Sequence, residues 1–167
     1  MKSFLPSMFY YGFPVVLLTT IDKDGNADVT PISCNFTLGT NAVIALVKLN
    51  KAYHNVMEVP EVVFNLPSAE MWEKVEAIAP YTAQNPVPPQ KVGKYAYTDD
   101  KFAIGGFTQL PSEKVRVPRI AECPIQAEAV VKQVNDRGTY ALIELEFVQV
   151  HAEDHLVMEE NKINPLA

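Results

Sequence analysis

Runs and alternations of apolar residues divide the chain into short elements. Val15-Val16-Leu17-Leu18-Thr19-Thr20-Ile21 is an apolar, β-branched run that ends in Asp22-Lys23-Asp24-Gly25-Asn26. That polar stretch is a strong turn signal, and apolar character resumes from Ala27 to Leu38. The pattern predicts a hairpin of two strands. Pro31 falls inside the second, where a residue without an N–H demands a sheet edge or a bulge. Backbone groups around it are then left to face something other than a neighbouring strand.

Ala42 to Val47 is a short, fully apolar strand. Asn50 reads as an N-cap for one or two helical turns over Lys51 to Val59, which Pro60 stops. Val62 to Leu66 is another strand. Pro67-Ser68 opens a helix over Ala69 to Ile78, with Glu70 and Glu73 near its positive end. Pro80 to Pro89 is proline-rich and extended, and residues 90–124 show no clear period. Ile125–Val134 and Thr139–His151 flank Asn135-Asp136-Arg137-Gly138 as a second hairpin. Ile143, Leu145 and Phe147 alternate there with Glu144 and Glu146, so one face is buried. Several strands, two short helices and hairpin connections predict a mainly β chain, an antiparallel barrel with helical additions.

The length of 167 residues fits one domain, 1–167, with enough core to need no cross-links. A net charge of −6 without a Lys/Arg run argues against nucleic acid and against an anionic membrane surface as partners. Two cysteines, Cys34 and Cys123, are too few for a disulfide framework and suit a reducing compartment, the cytoplasm. Both read as buried, inert thiols outside any CxxC pair. The apolar N-terminus contains Pro6, Tyr10, Tyr11, Gly12 and Pro14 and lacks a small-x-small cleavage site, so it does not read as a secretory signal. No apolar run approaches the ~20 residues of a membrane span.

The seven glycines never form GxGxxG or a phosphate loop, and there is no GxSxG elbow. His151 and His155 are four apart, a metal spacing only on a helix. Here they follow a strand and read as solvated polar residues. Three segments stand out together. Thr30-Pro31-Ile32-Ser33-Cys34-Asn35 is an interrupted strand with free amides and hydroxyls. Asn50-Lys51-Ala52-Tyr53-His54-Asn55 is a helix start with a cation in its first turn. Asp100 to Thr108 carries Phe102 and Gly105-Gly106. A helix start with unpaired N–H groups and Lys51 suits an anion, and the backbone near Pro31 suits the polar rim of a planar heterocycle. A capped surface helix beside an edge strand is the plainer alternative.

The sequence resembles the flavin reductase-like family, the FMN-binding split β-barrel, in its flavoredoxin-type branch. The resemblance runs through Pro14 to Thr20 with Asp24-Gly25-Asn26, Thr30-Pro31-Ile32-Ser33, Lys51 and Asn55, and Phe64-Asn65-Leu66. It continues at Asp100-Lys101-Phe102, Gly106-Phe107-Thr108, and Glu122-Cys123-Pro124 with Glu128. It implies an antiparallel split β-barrel of Greek-key type and a homodimer with FMN between subunits. Residues Thr30 to Asn35 would line the isoalloxazine edge. Asn50, Lys51 and Asn55 would hold the phosphate, and Phe102 and Thr108 would lie near the ring or the dimer contact. It further implies an oxidoreductase that moves hydride from NAD(P)H through FMN to a small-molecule or protein acceptor. The alternatives are a non-enzymatic FMN electron carrier and a barrel that has lost FMN. Ala52 departs from the family, which usually has Thr or Ser there. Many relatives also continue beyond the stretch matching Asn164-Pro165-Leu166.

Overall fold

The computed structural model describes residues 1, 3–6, 9 and 11–164, apart from the side chain of Asn161. Tyr10, Pro165 and Leu166 lie outside the described residues. The strands are β1 (Val16–Ile21), β2 (Ala27–Ile32), β3 (Asn35–Leu38) and β4 (Asn41–Val47), followed by helix α1 (Lys51–Glu58) and β5 (Glu61–Leu66). Helices α2 (Trp72–Ile78) and α3 (Lys101–Gly105) come next, then the two-residue strands β6 (Gln109–Leu110) and β7 (Arg119–Ile120). Long strands β8 (Ile125–Asp136) and β9 (Tyr140–Ala152) precede the short β10 (Val157–Met158) and β11 (Lys162–Ile163). Among the described residues, no helix is long and apolar enough to cross a membrane.

Seven strands form one antiparallel sheet in the order β2-β1-β5-β8-β9-β4-β3. The predicted strand Ala27–Leu38 is therefore two strands, and they lie at opposite edges of the sheet. Only Ser33 and Cys34 separate them. A flat sheet of seven strands would hold its edges about 29 Å apart, at about 4.8 Å per strand. The chain from Ile32 to Asn35 reaches at most about 11 Å. The sheet must therefore curl until its edges nearly meet. Register shifts in the β8/β9 pair, at Glu128/Ala129 and Val131/Gln133, help it bend. The result is an open, split barrel.

Pro31 lies on the edge strand, as its missing N–H requires, with no bulge. The turn bond from Asp22 N–H to the Asn26 carbonyl sets the phase of the β1/β2 ladder. Hydrogen-bonded pairs then alternate through Thr20/Asp28, Leu18/Thr30 and Val16/Ile32. Pro31 opposes Leu17 at a non-hydrogen-bonded pair, so its ring nitrogen faces outward. The Pro31 carbonyl points to the same edge, while Val29 on the same strand is fully buried in the second core.

The barrel interior is apolar, with Leu18, Ile32, Ile44, Leu46, Val62, Phe64, Ala129, Ile143 and Leu145 from the strands. Ala52 and Val56 of α1 complete it. β1 is buried on both faces, which explains its unbroken apolar run. Its other face joins a second core of Leu17, Val29, Met71, Ile78, Phe102, Phe107, Ile120 and Cys123 beneath α2 and α3. The predicted helix over Ala69–Ile78 begins as a 3-10 turn and becomes α-helical at Trp72. Helix α3 was not foreseen in the irregular stretch. Its glycines serve packing: Gly106 ends the helix in the left-handed region at φ 60°, and a Cβ on Gly105 would lie 2.1 Å from the Phe107 ring.

Buried polar side chains, Asn65 and Glu128 among them, tie residues 106–124 to the barrel. Asn65 accepts the Ile120 N–H at 2.7 Å and donates to the Leu17 carbonyl at 2.9 Å. Glu128, fully buried, accepts the N–H groups of Glu113 (2.9 Å), Lys114 (2.6 Å) and Val115 (3.2 Å). His151 Nε2 stands 2.7 Å from the same carboxylate. His151 is thus a partner of a buried acid and not a freely solvated residue, whereas His155 is exposed beside Glu153. Among the described residues, no group of three or more His, Cys, Asp or Glu could hold a metal ion.

Burial alone would raise the Glu128 pKa. The Glu113 amide, His151 and the Lys114 and Val115 amides outweigh it and hold the acid below its ordinary 4.5. A lowered folded value contributes stability above the unfolded pKa and loses it as pH falls through the folded one. We therefore expect Glu128→Gln to destabilise the protein by about 1–3 kcal/mol at pH 7. Urea titrations should show the gap to wild type closing as the pH falls below the ordinary carboxylate range. A gap independent of pH would refute the clasp.

Candidate functional site

Helix α1 starts where β4 ends, and Asn50 holds the N-cap backbone conformation at φ −93°, ψ 144°. An N-cap Asn ordinarily accepts an N–H from the first turn through its side chain. Here it makes no such bond. Its Oδ1 instead accepts from the Lys91 ammonium at 2.5 Å. Lys91, buried, is held in turn by the Thr82 carbonyl (3.1 Å) and hydroxyl (3.2 Å) and lies over the Tyr95 ring. The Tyr53 N–H turns back to the Asn50 carbonyl at 3.2 Å. A backbone bridge between Asn50 and Ala83 packs the following loop against the helix start, and Ala52 in its first turn is fully buried; the backbone dipoles there favour negative charge.

A second buried lysine reaches the same region from α3. Lys101 is 1% exposed and its Nζ meets both oxygens of Asp28, at 2.9 and 3.0 Å, and the Thr30 hydroxyl at 3.3 Å. Thr30 donates to Asp28 at 3.2 Å. Burial depresses the Lys101 pKa; Asp28 opposes that, and the charge of Lys51 adds to it. The Lys91 pKa is lowered by burial and then by the charge of Lys101. Lys101 is therefore within electrostatic reach of both other lysines. Lys51 itself is half-buried and lies 5.4 Å over the Tyr97 ring. Lys51 and Lys91 thus stand at the start of α1, while Lys101 is paired with Asp28 on β2, and the charge of Lys51 also acts on Asp22, in a chain of net charge −6.

The structure brings together part of the predicted set. Thr30, Pro31, Asn50 and Lys51 lie on the elements that meet here. Asn55 does not present its amide to this end: it is buried and donates to the Thr20 hydroxyl at 2.9 Å, fixing α1 to β1. Ile32 belongs to the barrel core and Phe102 to the second core. Thr108 is exposed, with its N–H on both oxygens of Glu122 at 3.0 Å. Ser33 and Cys34 form the corner between the two sheet edges: the Ser33 carbonyl accepts from Asn35 N–H, and that of Cys34 from Ala45 N–H. Ala52 is fully buried in the core, so a larger residue there would press into packed atoms.

Both thiols are free, but only Cys123 is buried, with its pKa pushed up to about 12, first by desolvation and then by Glu122. Cys34 is exposed, contrary to its expected burial, because it occupies the corner outside the ladder. Sequence reasoning missed Lys91 and the pairing of Lys101. Lys91 sits in the stretch without periodicity, and nothing local to it signals a partner 41 residues away.

A separate groove of about 780 Å³ opens at the barrel mouth. Its walls are largely apolar and include Val16, Phe64, Phe147 and Trp72. Of the predicted site residues, Asn35 alone lines it.

Comparison with known proteins agrees with this architecture. A family model described as "Flavin reductase like domain" matches residues 8–167. The chain is 36% identical to the uncharacterized protein YdfE of Bacillus subtilis (strain 168), over 98% of this chain and 81% of that one. Flavoredoxin of Desulfovibrio vulgaris (Miyazaki F) superposes with a TM-score of 0.79 at 19% identity, covering 98% and 82% of the two chains. An FMN-binding protein from Thermus thermophilus, solved with bound 1-cyclohex-2-enone, gives 0.74 at 12% identity, covering 98% and 86%. The last two show a shared fold.

Proposed function

This chain belongs to the flavin reductase-like family, and on that premise we propose that it binds FMN at the start of α1 and exchanges hydride or electrons through it. Membership supports a flavin-related oxidoreductase role in general. The choice of FMN rests on one observation, Lys51 and Lys91 at a helix start without a side-chain cap, with the Lys101–Asp28 pair on β2 beside it. A phosphate monoester carries up to two negative charges and several acceptor oxygens. Cations near the positive end of a helix dipole suit such a group. The arrangement fits the phosphate of FMN, and riboflavin lacks that group.

Bound flavin supplies hydride or electron exchange, and the protein supplies position and electrostatics. In this reading the half-buried Lys51 at the start of α1 holds the phosphate through its ammonium. Lys101, paired with Asp28 and bonded to Thr30, fixes α3 against β2. The edge of β2 offers the Pro31 carbonyl to donors on the rim of a flat ring. Ser33 and Cys34 border that edge at the corner. Asn55 and Phe102 act through packing, by fixing the elements that carry these groups.

A homodimer completes the proposal. The apolar barrel-mouth groove and the exposed Phe4, Leu5, Phe9 and Tyr11 support burial against a second copy. NAD(P)H is the proposed hydride donor, and the free thiols support a reducing, cytoplasmic setting.

Flavin titrations followed by fluorescence quenching test the phosphate site. Lys51→Ala should weaken FMN by about tenfold, the scale of one charge-assisted hydrogen bond, and leave riboflavin within about twofold. Equal losses for both flavins would place Lys51 away from the phosphate. Steady-state oxidation of NADH or NADPH by the FMN-loaded protein separates a reductase from an electron carrier, which would show none.

A further inference from the structure

We infer that the N-terminal arm, residues 1–13, seats its aromatic side chains in the barrel-mouth groove of a second copy, and that two copies exchange arms in this way. The inference rests on the homodimer reading above and names what the second copy contributes. The arm contains Phe4, Leu5, Phe9, Tyr11 and Phe13 and one charged side chain, Lys2. Phe4, Phe9 and Tyr11 are 72%, 77% and 70% exposed. The Phe9 and Tyr11 rings lie 5.4 Å apart, and those of Tyr11 and Phe13 lie 4.6 Å apart. A largely exposed aromatic strip of this kind marks a contact surface.

The groove has the matching character. Val16, Phe64, Trp72, Ile125, Phe147 and Val150 line it, and among the described residues Glu76 is its one charged wall residue. The lone charges of arm and groove, Lys2 and Glu76, are opposite in sign. Its volume of about 780 Å³ lies in the range of sites that enclose several rings. The arm does not fill its own groove. Pro14 and Val15 belong to the lining, but among the described residues none before Pro14 does. The arm thus starts at the groove of its own chain and runs away from it, as a reach to a neighbour requires.

A two-fold contact then repeats itself. If one arm enters the partner's groove, the partner's arm enters the first, and assembly closes at two copies. Full burial of Phe4, Phe9 and Tyr11 removes roughly 450–750 Å² per arm, and two arms supply roughly 900–1500 Å² before the groove walls are counted. Specific interfaces need about 1,000 Å² or more in total. Asn35, next to the Ser33–Cys34 corner, is also in the groove wall. A seated arm therefore stands beside the proposed ring edge of the partner, and each flavin site draws one wall from the other copy.

Trp72, the single tryptophan of the chain, is 62% exposed in the groove wall and reports on it without flavin. At concentrations where sedimentation shows a dimer of the full chain, its emission should be blue-shifted and protected from iodide. Dilution to monomer should abolish both. The arm variant Phe4→Ser/Phe9→Ser/Tyr11→Ser touches no core residue. It should weaken the dimer by at least about thirtyfold, the scale of one interface hot spot, and leave Trp72 open to iodide. Val150→Lys in the groove should do the same. The decisive sample mixes the arm variant with a chain carrying Val150→Lys and Trp72→Phe. The one tryptophan then lies in the intact groove of the first chain, and the one intact arm belongs to the second. Mixing should restore its protection.

If mixing leaves that tryptophan open, the arms do not act between copies and the inference fails. Protection in a monomer would mean that each arm folds into its own groove. Protection that survives in the arm variant would mean another apolar occupant. Either result overturns the inference. A dimer indifferent to the arm variant would refute arm exchange and leave the homodimer reading intact. A chain monomeric at every concentration, with Trp72 open, would remove both.

Discussion

Two residues join the opposite edges of a seven-stranded sheet, and the rest of the molecule answers to that short link. Because Ser33 and Cys34 cannot span an open sheet, the strands curl, and curling creates an interior that only apolar side chains can fill. Curling also leaves β2 as a true edge, with the backbone around Pro31 unpaired on its outer side. Helix α1 packs into the barrel through Ala52 and Val56, and α3 locks to β2 through Lys101 and Asp28. The corner, the edge and the helix start are therefore brought together by one topological constraint.

Charge is arranged against the average of the chain. An acidic protein with net charge −6 sets Lys51 and Lys91 at the start of α1 and Lys101 against the neighbouring β2, and buries the last two. Burying an ammonium costs several kcal/mol unless a partner compensates it. Asp28 compensates Lys101, while Lys91 has only neutral acceptors, Asn50 and Thr82. Apolar residues would fill these positions with less desolvation cost. A cluster of this sign, held by rigid neighbours, is the arrangement expected of preorganised anion binding.

The strands and both hairpins were legible because their signals are local: period-two alternation, β-branched runs and turn residues such as Asp24-Gly25 and Arg137-Gly138. Pro31 also announced an edge strand correctly. What could not be read depends on contacts distant in sequence. Apolar character continues past Cys34, so nothing local marks the jump from one sheet edge to the other. Asn55 and Phe102 looked available to a ligand, yet Thr20 and the second core take them up. Helix α3 is too short for periodicity to show. Lys91 is meaningful only through Asn50, on the far side of β5 and α2 in the chain.

The central claim is that an anionic tail is bound where α1 begins, beside the open edge of β2. A crystal structure of the protein soaked in FMN measures this directly. The phosphate is expected within hydrogen-bond distance of the Lys51 ammonium, with the ring against the backbone at Pro31 to Ser33. A phosphate lodged elsewhere, such as in the apolar groove between Phe64, Phe147 and Trp72, would contradict it.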